Sequence, residues 1–145
     1  MSQPRVIICE RSGIWAAALA RHLPREVRFV QTRALAECSA ALAAAPMSLV
    51  ALETSAGNLN GVLAWLAQLP ATFPLARAVV LADHGLQSHE WLLREAGAVH
   101  FAISPRELDG LAPLMQNHLA RLPAPNASFA EQVWNSLPWS EAATT

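Results

Sequence analysis

The residues of this chain that could do chemistry come in four short stretches: Glu10-Arg11, Glu53-Thr54, Ala82-Asp83 and Ser104-Pro105. Each follows a short apolar run. Carboxylates that converge can hold a divalent cation or take up a phosphoryl group, and that chemistry also needs groups to neutralise the transferred charge. The sequence offers little else for it. There is no lysine, so every basic side chain apart from histidine is arginine. Arg11 stands beside Glu10, where a guanidinium cannot ligate a metal and opposes one by its charge. Asp83, His84 and His89 lack the spacing of a metal site. No Ser/His/Asp set has a nucleophile elbow around it; Arg11-Ser12-Gly13 does not match one. Gly13 alone in the first turn is no phosphate fingerprint, which argues against nucleotide binding. Asn126-Ala127-Ser128 matches a glycosylation sequon only by pattern. Cys9 and Cys38 fall in different elements and read as reduced thiols. The expectation is no catalytic residue, no metal and no cofactor.

The elements that position these stretches follow from apolar patterning. Residues 6–9, 27–30, 49–52, 78–81 and 99–103 read as strands. The first, third and fourth are apolar throughout, as a sheet buried on both faces requires. Residues 14–23, 34–45, 61–69, 87–96 and 106–122 read as helices, with Pro46 beyond the second and Gly97 capping the fourth. Ser104-Pro105-Arg106-Glu107 has capping-box spacing with proline at the first helical position. Pro113 should kink or restart the last helix. Five alternating units predict an α/β fold, a five-stranded parallel sheet doubly wound by helices, with ligands expected beyond the carboxyl ends of the strands.

Composition narrows the class further. The chain has 145 residues, 53% hydrophobic and 14% charged, with a net charge of -1. That suits one domain with a real core and supplies no basic surplus for nucleic acid or an anionic membrane. No signal peptide or transmembrane stretch is visible, so the expected setting is cytoplasmic. Arginine-for-lysine and alanine-rich usage hints at a bacterial source.

Two stretches carry a family resemblance. Glu53 is followed eight residues on by Gly61 in Leu59-Asn60-Gly61, and residues 96–105 run Ala-Gly-Ala-Val-His-Phe-Ala-Ile-Ser-Pro. In order and spacing they resemble the receiver domain of bacterial two-component response regulators, over roughly residues 5–122. The resemblance implies a flavodoxin-like fold and assigns positions. Glu10 matches the first of two metal-binding acids and Arg11 replaces the second. Glu53 stands at the phosphoacceptor aspartate, one methylene too long. Ala82 stands at the hydroxyl that reads the phosphoryl group, and Ser104 at the lysine. Only Phe101 keeps its type, as the switch aromatic. The site therefore reads as a degenerate phosphorylation pocket, with Arg11 expected to pair with Glu53 as an internal ion pair.

The resemblance moves the expected working surface to the fourth helix, fifth strand and fifth helix, with Trp91, Arg94, Phe101, Arg106, Leu111 and Met115. Trp15, Trp65 and Trp91 read as core or helix-to-sheet packing, and His100 and His118 as structural. Residues 1–122 are expected to form the receiver-like domain; residues 123–145 read as a Pro-rich linker and an amphipathic tail with Phe129, Val133, Trp134, Leu137 and Trp139, expected to dock on its own domain, to dock on a partner or to stay disordered. With a tail of this length, no DNA-binding output domain is expected. The expected function is a phosphorylation-independent protein-interaction module in bacterial signalling, not an enzyme. Its partner is another protein or a second copy as a homodimer, with neither nucleic acid nor membrane. The alternatives are an atypical phosphoacceptor, or a small-molecule sensor whose crevice is wider than Arg11 and Glu53 can fill.

Overall fold

The computed structural model describes residues 5–23, 25 and 27–121. Five strands alternate with helices: β1 (Arg5–Cys9), α1 (Ile14–His22), β2 (Arg28–Thr32), α2 (Leu35–Ala44), β3 (Leu49–Thr54), α3 (Leu59–Thr72), β4 (Arg77–Ala82), α4 (Glu90–Ala96), β5 (Ala98–Ala102) and α5 (Leu108–Arg121). The strands form one parallel sheet in the order β2-β1-β3-β4-β5. The order reverses between β1 and β3, which opens a crevice at their carboxyl ends.

Alternate residues of the central strands feed two core layers. Ile7, Val50, Leu52 and Val80 meet α2, α3 and α4 through Cys38, Leu42, Leu66 and Leu93. Ile8, Leu49, Ala51 and Leu81 meet α1 and α5 through Trp15, Leu19, Leu108 and Met115. Burial on both faces explains why β1, β3 and β4 have unbroken apolar runs, while edge strand β2 is more polar. Trp65 ties α3 to α2, its Nε1 donating to Ser39 Oγ at 2.9 Å. His118 ties α5 to the turn before β3, with Nε2 3.1 Å from the Met47 carbonyl.

Several expectations are corrected in detail. The helix expected over 87–96 is two pieces, a 3₁₀ segment (His84–His89) and then α4, pinned by buried Leu86 and Leu93. α3 runs through Pro70 to Thr72, past the expected end at Leu69. α5 continues through Pro113 as one helix, so it is not restarted there. Gly97 does cap α4 and takes φ 129°, a left-handed conformation that a side chain would strain. Ser104 Oγ accepts from Arg106 N at 3.3 Å and Glu107 Oε2 from Ile103 N at 2.8 Å, so both side chains cap the turn, but not through the reciprocal Ser104–Glu107 bonds of the expected capping box. β5 carries an irregularity: Ala78 pairs with Ala98 but Val79 pairs with His100, leaving Val99 as an extra residue that is 39% exposed.

Candidate functional site

β1 delivers Glu10 to the crevice one residue past its end, and the helix that follows captures the side chain. Gly13, at φ 80°, is the N-cap of α1 and has no side chain to offer the helix. The first turn of a helix has orphan N–H groups that need acceptors. Glu10 supplies them from a distance: Oε2 accepts from Trp15 N at 3.0 Å and Oε1 from Ala16 N at 2.7 Å. Ser12 Oγ accepts from Ile14 N at 3.4 Å, and Ala17 N finds the Gly13 carbonyl. Every donor of the turn is thus satisfied. Glu10 is 6% exposed, and its charge sits at the positive end of the helix dipole. The position matched to a metal-binding acid is a helix cap.

Glu53, on β3, faces the same loop from the other side. Its Oε1 accepts from Arg11 N and its Oε2 from Ser12 Oγ, both at 3.2 Å. The backbone behind Glu53 is fixed in turn by Asn58, whose Nδ2 donates to the Glu53 carbonyl at 3.0 Å while its Oδ1 accepts from Ser55 N at 2.7 Å. Thr54, the other residue of that stretch, is buried and donates to the Leu52 carbonyl. Two carboxylates therefore clamp the β1–α1 loop from opposite sides through hydrogen bonds.

The expected Arg11–Glu53 ion pair does not form. It is the Arg11 amide, not the guanidinium, that binds Glu53, and the Arg11 side chain is exposed. Among the described residues the ion pair present is Arg94 Nε to Glu90 Oε2 at 2.8 Å, one turn apart on α4. Drawing the Arg11 guanidinium into the crevice would cost hydration that one half-buried carboxylate, already bonded to the loop, does not return.

Ala82 is buried at the end of β4 and presents only a methyl group. Ser104 spends its hydroxyl oxygen on the cap before α5. Phe101 is turned inward, 7% exposed, into the layer under α4. Asp83 and His84 line the crevice, a space of about 910 Å³ whose wall also includes Cys9, Arg11, Arg33 and Gly61. Among the described residues no three His, Cys, Asp or Glu side chains converge as a metal site would require.

The expected interaction face is partly corrected. Trp91 is 62% exposed, so it is a surface residue and not core. Arg94 and Arg106 are also exposed. Met115 does not belong to the face: it is fully buried, one of the α5 residues packed on the sheet. The Leu111 side chain lies outside the described residues, as do Phe129, Val133, Trp134, Leu137 and Trp139. His100 and His118 are both held below the usual histidine pKa, chiefly by burial, with the Arg94 charge adding to it at His100. Neither lines the crevice.

Sequence reasoning missed Ser12, Asn58 and the thiol pair described below. Asn58, three residues before the expected helix start at Gly61, carried the only local signal, since asparagine favours such turns.

No family model and no curated protein sequence matches the chain. Solved structures do. A response regulator from Thermotoga maritima superposes with a TM-score of 0.68 at 19% identity, covering 82% of this chain and 99% of that one. A CheY-like protein, tadZ, from Pseudomonas aeruginosa gives 0.61 at 22% identity, over 86% of this chain and 98% of that one. An atypical orphan response regulator, described as having a phosphorylation-independent regulatory mechanism, gives 0.61 at 17% identity, over 80% and 95%. The fold is that of the response-regulator receiver domain, flavodoxin-like with five parallel strands. Among the described residues no helix is long and apolar enough to cross a membrane.

Proposed function

We propose that this chain is a pseudo-receiver: a non-enzymatic protein-interaction module of a signalling system that works without phosphorylation. One observation carries the reading. The two carboxylates that could have held a metal and a phosphoryl group, Glu10 and Glu53, are bonded to the β1–α1 loop. The loop is held in one arrangement by the chain's own side chains, and a hydroxyl and a lysine are missing where the transferred charge would need them. Output then rests on contacts, with another protein or with a second copy. Trp91, exposed on α4 beside Arg94, supports such a surface, since an exposed large aromatic with a neighbouring arginine suits recognition. Acetyl phosphate with magnesium tests the central point: intact mass should show no phosphoryl increment. A stable adduct on Glu53 would overturn the reading in favour of an atypical phosphoacceptor.

A second reading, a small-molecule sensor, is favoured by the width of the crevice. Arg11 leaves it unfilled, and about 910 Å³ is within the range of small-ligand sites. Thermal-shift screening of anionic metabolites with the parent and Arg11→Ala separates the two: a ligand whose stabilisation needs Arg11 supports a sensor.

A further inference from the structure

The β1–α2 contact brings together two thiols that no part of the proposed function uses. Cys9 is the last residue of β1; Cys38 lies on α2, which packs against that strand. Both are free and buried, and they lie in one core cluster. Thr32, paired with Cys9 across β1 and β2, completes the cluster, its Oγ1 3.3 Å from Cys38 Sγ. That hydroxyl donates its one hydrogen to the Ile8 carbonyl at 3.0 Å, so toward the thiol it is an acceptor. The cluster is asymmetric in access. Cys9 is 8% exposed and forms part of the crevice wall, whereas Cys38 is fully buried behind it.

We infer that Cys9 and Cys38 are a peroxide-responsive dithiol, with Cys9 meeting the oxidant from the crevice and Cys38 resolving it to an intramolecular disulfide. The chemistry balances in two steps. The Cys9 thiolate attacks one oxygen of a hydroperoxide, the O–O bond breaks, and Cys9 becomes a sulfenic acid as the other oxygen leaves as alcohol or water. Cys38 then attacks the Cys9 sulfur, losing its proton, and hydroxide leaves with a proton as water. Two electrons pass from the thiol pair to one peroxide. The second step needs the two sulfurs to close to about 2.05 Å, a movement of side chains on neighbouring elements.

The electrostatics agree with this division of roles. Cys38 beside it lowers the pKa of the Cys9 thiol, against burial and the charges of Glu37 and Glu53. Cys38 moves upward, with its neighbour Cys9 as the first cause and burial as the second. The sulfur with access to the crevice is the one drawn toward ionisation. The inference is independent of whether the crevice binds a ligand or the α4 face a partner.

The test uses the full chain, reduced and freed of reductant, then treated with hydrogen peroxide, alkylated and mapped by peptide mass. The expected product is a monomer lacking two hydrogens, protected from alkylation, with the Cys9 and Cys38 peptides joined. In Cys38→Ser, oxidation should stop at a Cys9 sulfenic acid that dimedone traps. In Cys9→Ser, Cys38 should stay reduced. In the unmodified chain, brief iodoacetamide treatment at neutral pH should label Cys9 roughly tenfold or more ahead of Cys38, with a rate that rises through pH 7. The peptide map of the oxidised parent needs no variant, so it decides the matter even if a serine disrupts folding. Labelling of Cys38 first, reaction of both thiols no faster than in the denatured chain, or disulfides only between chains would each overturn the inference.

Discussion

Removing the Glu10 carboxylate should destabilise the whole domain, because it is a helix cap and not a vacant metal ligand. Its two oxygens accept from Trp15 N at 3.0 Å and Ala16 N at 2.7 Å in a site 6% exposed. Hydrogen bonds to a charged group contribute about 1.5–3 kcal/mol each, and loss of an ordinary helix cap costs about 1 kcal/mol. The two bonds share one carboxylate, and water reaches part of a truncated site, so Glu10→Ala should cost about 3 kcal/mol. For a chain of this size that is a fall in Tm of roughly 10 °C. Glu10→Gln keeps one acceptor but sets an amide donor against a backbone donor, and should lose about half as much. The assay is thermal unfolding followed by circular dichroism, with and without magnesium. If magnesium occupied the site, an excess of about a hundredfold over Kd would add about 2.7 kcal/mol. A Glu10→Ala melt within about 2 °C of the parent would refute the reasoning, on the scale of about 3 °C per kcal/mol. So would a magnesium-dependent rise in the parent that vanishes in the variant.

Closing the Cys9–Cys38 disulfide ties off about 29 residues, which should raise stability by about 3–4 kcal/mol if the bond is unstrained. Urea midpoints of the oxidised and reduced chain check this, and an unchanged or lower oxidised midpoint would show strain. Gly97→Ala places a Cβ on a residue at φ 129° and should cost about 1–2 kcal/mol, read as a lower Tm. Glu53→Ala frees only exposed or half-buried donors, so its cost should stay near about 1 kcal/mol while amide exchange at residues 11–14 quickens. His118 is held below its usual pKa by burial, so the unfolded chain binds its proton more readily than the folded one. Stability should therefore fall as pH drops through the ordinary histidine range. His118→Gln should flatten that fall in denaturant titrations at successive pH values, and an unchanged slope would count against it.

The layers of the fold were legible because strands buried on both faces must be apolar, as in Val6-Ile7-Ile8-Cys9. The cap at Ser104 and the turn at Gly97 were legible because each works over a few neighbouring residues. The site was legible only as a set of positions. Glu10, Arg11 and Glu53 do meet at one crevice, but which atom of Arg11 faces Glu53 depends on the path of a four-residue loop around Gly13. A charge pattern favours guanidinium to carboxylate; the loop geometry gives amide to carboxylate. Met115 was misplaced for a similar reason. α5 has one buried stripe through Leu108 and Met115, and position alone does not say which stripe faces the sheet. The thiol pair was hidden because Cys9 and Cys38 meet only through β1–α2 packing.

The extra residue in β5 bears on how two copies of this chain could meet. β5 is a border of the sheet, and a straight border strand offers its free N–H and C=O groups to any passing strand. Val99 interrupts that row and turns outward, so the border no longer presents an even ladder. Continuous sheet growth from copy to copy is disfavoured there, and with it the start of fibrous aggregation. An assembly on this flank must be made by side chains, such as the Trp91 indole, and can close at a defined size.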